Sequence, residues 1–145
     1  MKKATKQITV ITGLVIKDHK VLLTQRDEKE CPGAHLKWEL PGGKVDFRET
    51  PEQAIAREIL EETGVIVKLK KLLPFTLTAY WDYDWGTQQV LLFVYLCDFV
   101  SQKKVKKDHH VKKIAWVEIE KVKNLDTLPG THEAIKVFKQ QIHPG

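Results

Sequence analysis

The chain predicts an α/β fold, an α/β/α sandwich with a mixed β-sheet between helices, and three observations carry that expectation. Strand-like runs lie on both sides of one long, well-capped helical segment. A second helical segment closes the chain. No internal repeat, low-complexity tract or linker divides it, so 145 residues are expected to form one domain, 1–145, with a core large enough to fold unaided.

The elements follow in order. Thr9 to Ile16 and Lys20 to Gln25 are rich in β-branched residues and flank Lys17-Asp18-His19, a hairpin turn. Asp27 to Lys37 is polar and holds Pro32-Gly33, as a loop does. Trp38-Glu39-Leu40 is a short extended piece leading into Pro41-Gly42-Gly43. A helix is predicted from Pro51 to about Thr63. Val65 to Leu73 and Thr76 to Tyr80 are expected to be extended, with an interruption at Pro74. Gln88 to Val100 is the strongest strand, too β-branched and aromatic for a surface helix. Lys112 to Val117 is another strand, Val122 marks a short helical turn, and Thr131 to Gln140 is the final helix.

Composition narrows the function classes. Hydrophobic residues make up 42% and charged residues 30%, the balance of an ordinary globular protein. No apolar run approaches the ~20 residues of a membrane span. The basic start, Met1 to Gln7, lacks a signal-peptide pattern, so cytoplasmic residence without a membrane partner is the expectation. Cys31 and Cys97 form neither a disulfide framework nor a zinc spacing. The net charge of +5 favours anionic ligands, and Lys103, Lys104, Lys106, Lys107, Lys112 and Lys113 crowd one segment. That segment is either a solvated loop or a rim that attracts polyphosphates. Its lysines are not interleaved with aromatics, so no stable nucleic-acid complex is expected.

The central helix carries the chemistry. Thr50 suits the N-cap, Pro51 the first turn, Gln53 completes a capping box, and Gly64 supplies the C-terminal stop. Ile55, Ala56, Ile59 and Leu60 fall on one arc, and Glu58, Glu61 and Glu62 on the next. Like charges at this spacing disfavour a helix by about 0.2–0.5 kcal/mol per pair. Glu61 and Glu62 also lie at the negative end of the helix dipole. Arg57 offsets part of that repulsion. The face is therefore either a solvated acidic surface or the oxygen-ligand set of a hard divalent cation. Gly42-Gly43, which lets backbone approach a ligand closely, followed by Lys44 and Glu49, favours the cation.

Gly43, five residues, Glu49, seven residues, Arg57-Glu58-Ile59, one residue, Glu61-Glu62, one residue and Gly64-Val65 together resemble the Nudix box at every defined position. Trp38 to Lys44 and Glu49 to Ala54 are similar to the MutT branch of that family. The resemblance implies the Nudix fold. It also implies magnesium- or manganese-dependent hydrolysis of nucleoside diphosphate derivatives, here nucleoside triphosphates including oxidised ones. The products would be a monophosphate and pyrophosphate. It further implies that Glu58, Glu61 and Glu62 hold metal with the carbonyl of Gly42. Arg57 would orient the glutamates, and Glu49 would brace the loop or reach the metal. Arg26 would contact phosphates, with Lys44 beside it. A homodimer is a common family state.

Two features depart from the branch. Asp108-His109-His110 stands where many relatives place a glutamate base, so His110, its neighbours or Glu58 is the candidate base. No asparagine falls in register near Pro129-Gly130-Thr131-His132 to read an oxidised guanine. Trp81 and Tyr83, with Trp85, flank a turn at Gly86 and either stack a base or cap the sheet. A nucleotide-sugar, ADP-ribose or dinucleoside polyphosphate hydrolase, and a non-catalytic nucleotide-sensing domain, are the competing readings.

Overall fold

The computed structural model describes residues 3–106 and 110–142, in seven strands and two helices: β1 (Ala4–Lys17), β2 (Lys20–Arg26), β3 (Trp38–Glu39), β4 (Gly42–Lys44), α1 (Pro51–Thr63), β5 (Val65–Tyr83), β6 (Gly86–Gln102), β7 (Val111–Glu118) and α2 (Thr131–Ile142). A 3-10 turn, Ile119–Asn124, precedes α2 and buries Val122, the residue expected there. The strands form one mixed sheet in the order β3-β2-β1-β6-β5, with β4 on β1 and β7 on β2. β1 runs parallel to β6 from Ala4 to Ile16, while the other pairings are antiparallel.

The sheet is packed on both faces, as the pattern predicted. Ala54, Ile55 and Ile59 of α1 meet Ile11, Val15, Leu22 and Val65 on one side. Ala134 and Ile135 of α2 meet Leu14, Leu23, Leu73 and Val94 on the other. Ala56, expected on the packed arc of α1, is exposed, and Ala54 is buried in its stead. Both cysteines are buried, and burial pushes the Cys97 thiol up to about 12. Among the described residues no helix is long and apolar enough to cross a membrane.

Pro74 does not interrupt its strand. β5 continues through it as one strand, but its pairing with β6 lapses over Leu73, Pro74 and Phe75, the register shifting between Leu72 and Thr76. A proline lacks the ladder donor but is tolerated at an edge or bulge, and β5 is the outer strand here. The hairpin then turns at Asp84-Trp85, with Tyr83 opposite Gly86. A Cβ at Gly86 (φ 149°) would lie 1.9 Å from the Ala4 carbonyl oxygen, so this turn demands glycine.

β1 and β2 pair only at Ile16 and Lys17, near their connecting turn. Farther along, β1 turns from β2 to β4: Val10, Ile11 and Thr12 oppose Lys44, Gly43 and Gly42. The Gly13 N–H donates to the Pro41 carbonyl at 2.9 Å. That splay seats the glycine loop in the sheet, at the mouth of a cleft.

Candidate active site

Helix α1 begins as its sequence required. Thr50 accepts from the Gln53 N–H at 3.1 Å, and the Gln53 side chain accepts from the Thr50 N–H at 3.0 Å. Gly64 closes the helix in the left-handed region at φ 76°, its N–H donating to the Leu60 carbonyl. Between these caps Arg57 is the hub of the acidic cluster. Its Nε and Nη2 donate to the two oxygens of Glu49 at 2.6 and 2.8 Å. Its Nη1 donates to Glu58 at 2.9 Å and Glu61 at 3.3 Å, and Asp46 lies 3.4 Å from Nη2. The hydrogen bonds to Glu49 and Glu58 raise the Arg57 pKa further above its ordinary value. The same fork holds Glu49 down at about 2. Glu49 also accepts from the Asp46 N–H and does not line the cleft. Of its two expected roles, the geometry matches the brace of the loop.

Glu58 and Glu62 point from α1 towards the glycine loop. A Cβ on Gly43 would fall 2.6 Å from the Glu58 carboxyl carbon, so the bare backbone of Gly43 cradles that carboxylate. Gly42 donates its N–H to Glu62 Oε1 at 3.0 Å. Burial, then the neighbouring negative charges of Glu39 and Glu58, push the Glu62 carboxyl well above its ordinary range. A carboxylate crowded by two others stores repulsion that a cation relieves. The donor set, carboxylates beside backbone, is that of a hard cation. Among the described residues no three His, Cys, Asp or Glu side chains yet converge on one point. Arg57 holds Glu58 and Glu61, and Gly42 holds Glu62. The residues fit a hard divalent ion in kind.

Arg26 makes a bidentate pair with Glu39, Nε at 2.7 Å and Nη2 at 2.8 Å, and its Nη1 reaches Glu28 at 3.4 Å. Burial opposes its charge, but Glu39 outweighs that and raises the pKa. Sequence reasoning singled out Arg26 but missed Glu39 and Glu28, the carboxylates that aim it. The Trp38-Glu39-Leu40 run held the signal, since an acidic residue in a short strand beside an arginine-ended strand invites pairing.

One cleft of about 370 Å³ joins these groups. Arg26, Gly42, Lys44, Glu58, Glu61, Glu62 and His110 line its polar end. Trp81 and Tyr83 line the other, where they also pack on Cys31, Ala34 and Leu128. The two sequence alternatives for these rings are thus compatible, since they cap a small core and face the cleft. Tyr83 stacks on Trp85 with centroids 5.4 Å apart and planes 8° from parallel. Burial and the nearby Glu28 and Cys31 push the Tyr83 phenol up to about 12. His110 is anchored by its carbonyl, which accepts from the Asp27 N–H at 2.8 Å. Asp108 and His109 lie outside the described residues, as does Lys107. Lys103, Lys104 and Lys106 are outside the cleft lining, which fits the solvated reading of that segment better than the polyphosphate rim.

A family model described as NUDIX domain matches residues 6–140. The nucleoside triphosphatase NudI of Escherichia coli is 30% identical over 139 residues, covering 91% of this chain and 96% of that protein. An ADP-ribose pyrophosphatase of Methanocaldococcus jannaschii is 46% identical over 63 residues, 43% of this chain and 36% of that protein. The matches span between 36% and 62% of the length of the first curated relatives. Among solved structures, the MutT protein of methicillin-resistant Staphylococcus aureus superposes with a TM-score of 0.65 at 31% identity, covering 94% of this chain and 99% of that one.

Proposed function

The chain belongs to the NUDIX family, and on that premise we propose that it is a MutT-like pyrophosphohydrolase, dependent on magnesium or manganese, that cleaves nucleoside triphosphates to a monophosphate and pyrophosphate. The observation that carries this reading is the continuity of the cleft from the carboxylates of α1 to the rings of Trp81 and Tyr83. A nucleoside triphosphate has the same polarity, anionic at one end and flat and apolar at the other. The near full-length similarity to a nucleoside triphosphatase supports the same substrate class.

In this reading Glu58, Glu61, Glu62 and the carbonyl of Gly42 hold the ion. When bound, the ion supplies charge neutralisation on the phosphates and an acidified water. Arg57 sets the glutamates, and Glu49, taken up by Arg57, braces the loop. Arg26 and Lys44 bind phosphate oxygens, with Glu39 fixing the plane of the Arg26 guanidinium. Two groups in the cleft can take the proton of the attacking water, Glu58 and His110. Single alanine variants at Asp108, His109 and His110 separate the cases: an altered pH–rate profile assigns the step to that residue, and unchanged profiles in all three assign it to Glu58.

The deciding experiment is turnover of a nucleotide panel with and without magnesium, read as pyrophosphate from the triphosphates and as nucleoside monophosphate from the other members. The panel includes C8-oxidised guanine nucleotides, nucleotide sugars, dinucleoside polyphosphates and ADP-ribose, the last because of the archaeal relative. Magnesium-dependent pyrophosphate from triphosphates supports the proposal. Turnover of ADP-ribose alone moves the substrate class. Nucleotide binding with no turnover of any member leaves a sensing domain.

A further inference from the structure

The aromatic end of the cleft contains one polar side chain whose hydrogen-bonding capacity is unspent. Gln88 of β6 stands directly opposite Trp81 of β5 in the strand register, and both line the cleft. Opposed residues on one face of an antiparallel pair carry their Cβ atoms about 4.5–5.5 Å apart. A planar group stacked on Trp81 therefore presents its edge to the Gln88 carboxamide. The next residue provides the contrast. Gln89, on the opposite face, donates to the Tyr80 hydroxyl at 3.1 Å and accepts from Gln7 at 2.7 Å. Gln88 has no hydrogen-bond partner among the described residues. Apolar Ile8, Ala79 and Val90 follow it along the cleft wall, and exposed Lys6 of β1 is its register partner on the other side.

We propose that Gln88 reads the edge of the base stacked on Trp81 and favours a base with an amino N–H beside a ring-nitrogen acceptor, adenine or cytosine, over guanine. This deepens, and rests on, the nucleotide reading of the same cleft. A carboxamide offers one N–H donor beside one carbonyl acceptor. Adenine offers the complement on either edge, the 6-amino N–H beside N1 or beside N7, and side-chain amides pair with it bidentately. Guanine fits worse both ways. Its N7–O6 edge sets two acceptors against a group with only one donor. Pairing through N1–H and O6 leaves the 2-amino group against apolar wall, and a buried donor without a partner is costly. Arg26, the arginine that lines the cleft, is engaged by Glu39 and Glu28, which leaves it fewer donors for guanine O6 and N7.

The test is binding of AMP and GMP to the whole chain, followed by calorimetry and by quenching of tryptophan fluorescence, in wild type, Gln88→Ala and Gln88→Glu. Wild type is expected to bind AMP about tenfold more tightly than GMP, the scale of one bidentate contact. Gln88→Ala should bring the ratio to about one, and Gln88→Glu, whose two acceptors match guanine N1–H and its 2-amino group, should lower it below one. Gln88→Glu changes the carboxamide to a group of the same shape that only accepts, and thermal melts of both variants, read beside the binding, show that each is folded. A wild-type ratio near one, or a preference that survives both variants, overturns the assignment. These readouts are separate from catalysis: AMP binding that depends on Gln88 without turnover of any nucleotide in the panel sinks the hydrolase reading and leaves this one standing.

Discussion

The two ends of the cleft are made in different ways. The acidic end is almost wholly contiguous: Gly42 to Glu62 supply every proposed ion ligand, and Arg57 binds partners one, four and eight positions away. The aromatic end gathers Ile8, Ala34, Trp81, Gln88 and Leu128 from five separate stretches. A helix and its preceding loop can preserve a chemical constellation under large changes elsewhere, because local spacing alone holds it. A wall drawn from many strands can change its chemistry residue by residue. In the proposed reading, reaction type is lodged in the first region and selectivity in the second.

The sharpest way to break that division is Glu61→Gln. Glu61 is exposed on α1, so the variant should keep its circular dichroism and Tm. Its kcat with magnesium should fall about 10²- to 10³-fold, the scale of losing one electrostatic element of an active site. Near-normal turnover by the folded variant would remove α1 from the reaction. Gly42→Ala comes next and tests the seat of the loop. A Cβ there would lie 2.1 Å from the Ile11 carbonyl oxygen, forcing β4 away from β1. Overpacking of this kind costs about 1–3 kcal/mol, read as a lowered midpoint in urea unfolding together with loss of turnover. An unchanged midpoint would show that β4 is not held by this contact.

Trp81→Ala addresses the other region. Stacking of a base on an aromatic ring is worth about 1–3 kcal/mol, so KM should rise about tenfold or more with kcat nearly constant. A fall in kcat at constant KM would place Trp81 in the chemistry and dissolve the comparison.

The smallest effect concerns the Arg57–Glu49 fork. Glu49 titrates at about 2 in the folded chain and near its ordinary value of 4.5 when unfolded. Its contribution is therefore full above the unfolded value and is lost as pH falls through about 2. Thermal melts of wild type and Glu49→Gln should differ by a constant amount above about pH 5.5, the gap closing towards pH 2. A gap independent of pH would mean that the carboxylate's charge is not what braces the loop.

Much of this was legible in order along the chain. The capping box, Gly64 and the unfavourable crowding of Glu58, Glu61 and Glu62 are local facts, since helix geometry converts spacing directly into position. Both packed faces of the sheet followed from the pattern of apolar runs. Pro74 interrupts the pairing without ending the strand, for a physical reason: how far a missing N–H breaks a strand depends on which neighbour needs it, and that is a matter of topology. Ala56 was misplaced because a short side chain weighs little in an apolar arc, and the docking angle of the helix chose Ala54.

The sequence by itself determined the loop–helix, its caps, its acidic face and the sandwich class, because each depends on residues a few positions apart. Only the tertiary structure decided that Glu39 clamps Arg26 and that Glu49 serves Arg57 rather than the cleft. It alone put Gln88 opposite Trp81. Those relations cross strands, and strand register is set by the packing of the whole sheet, to which no short stretch of chain has access.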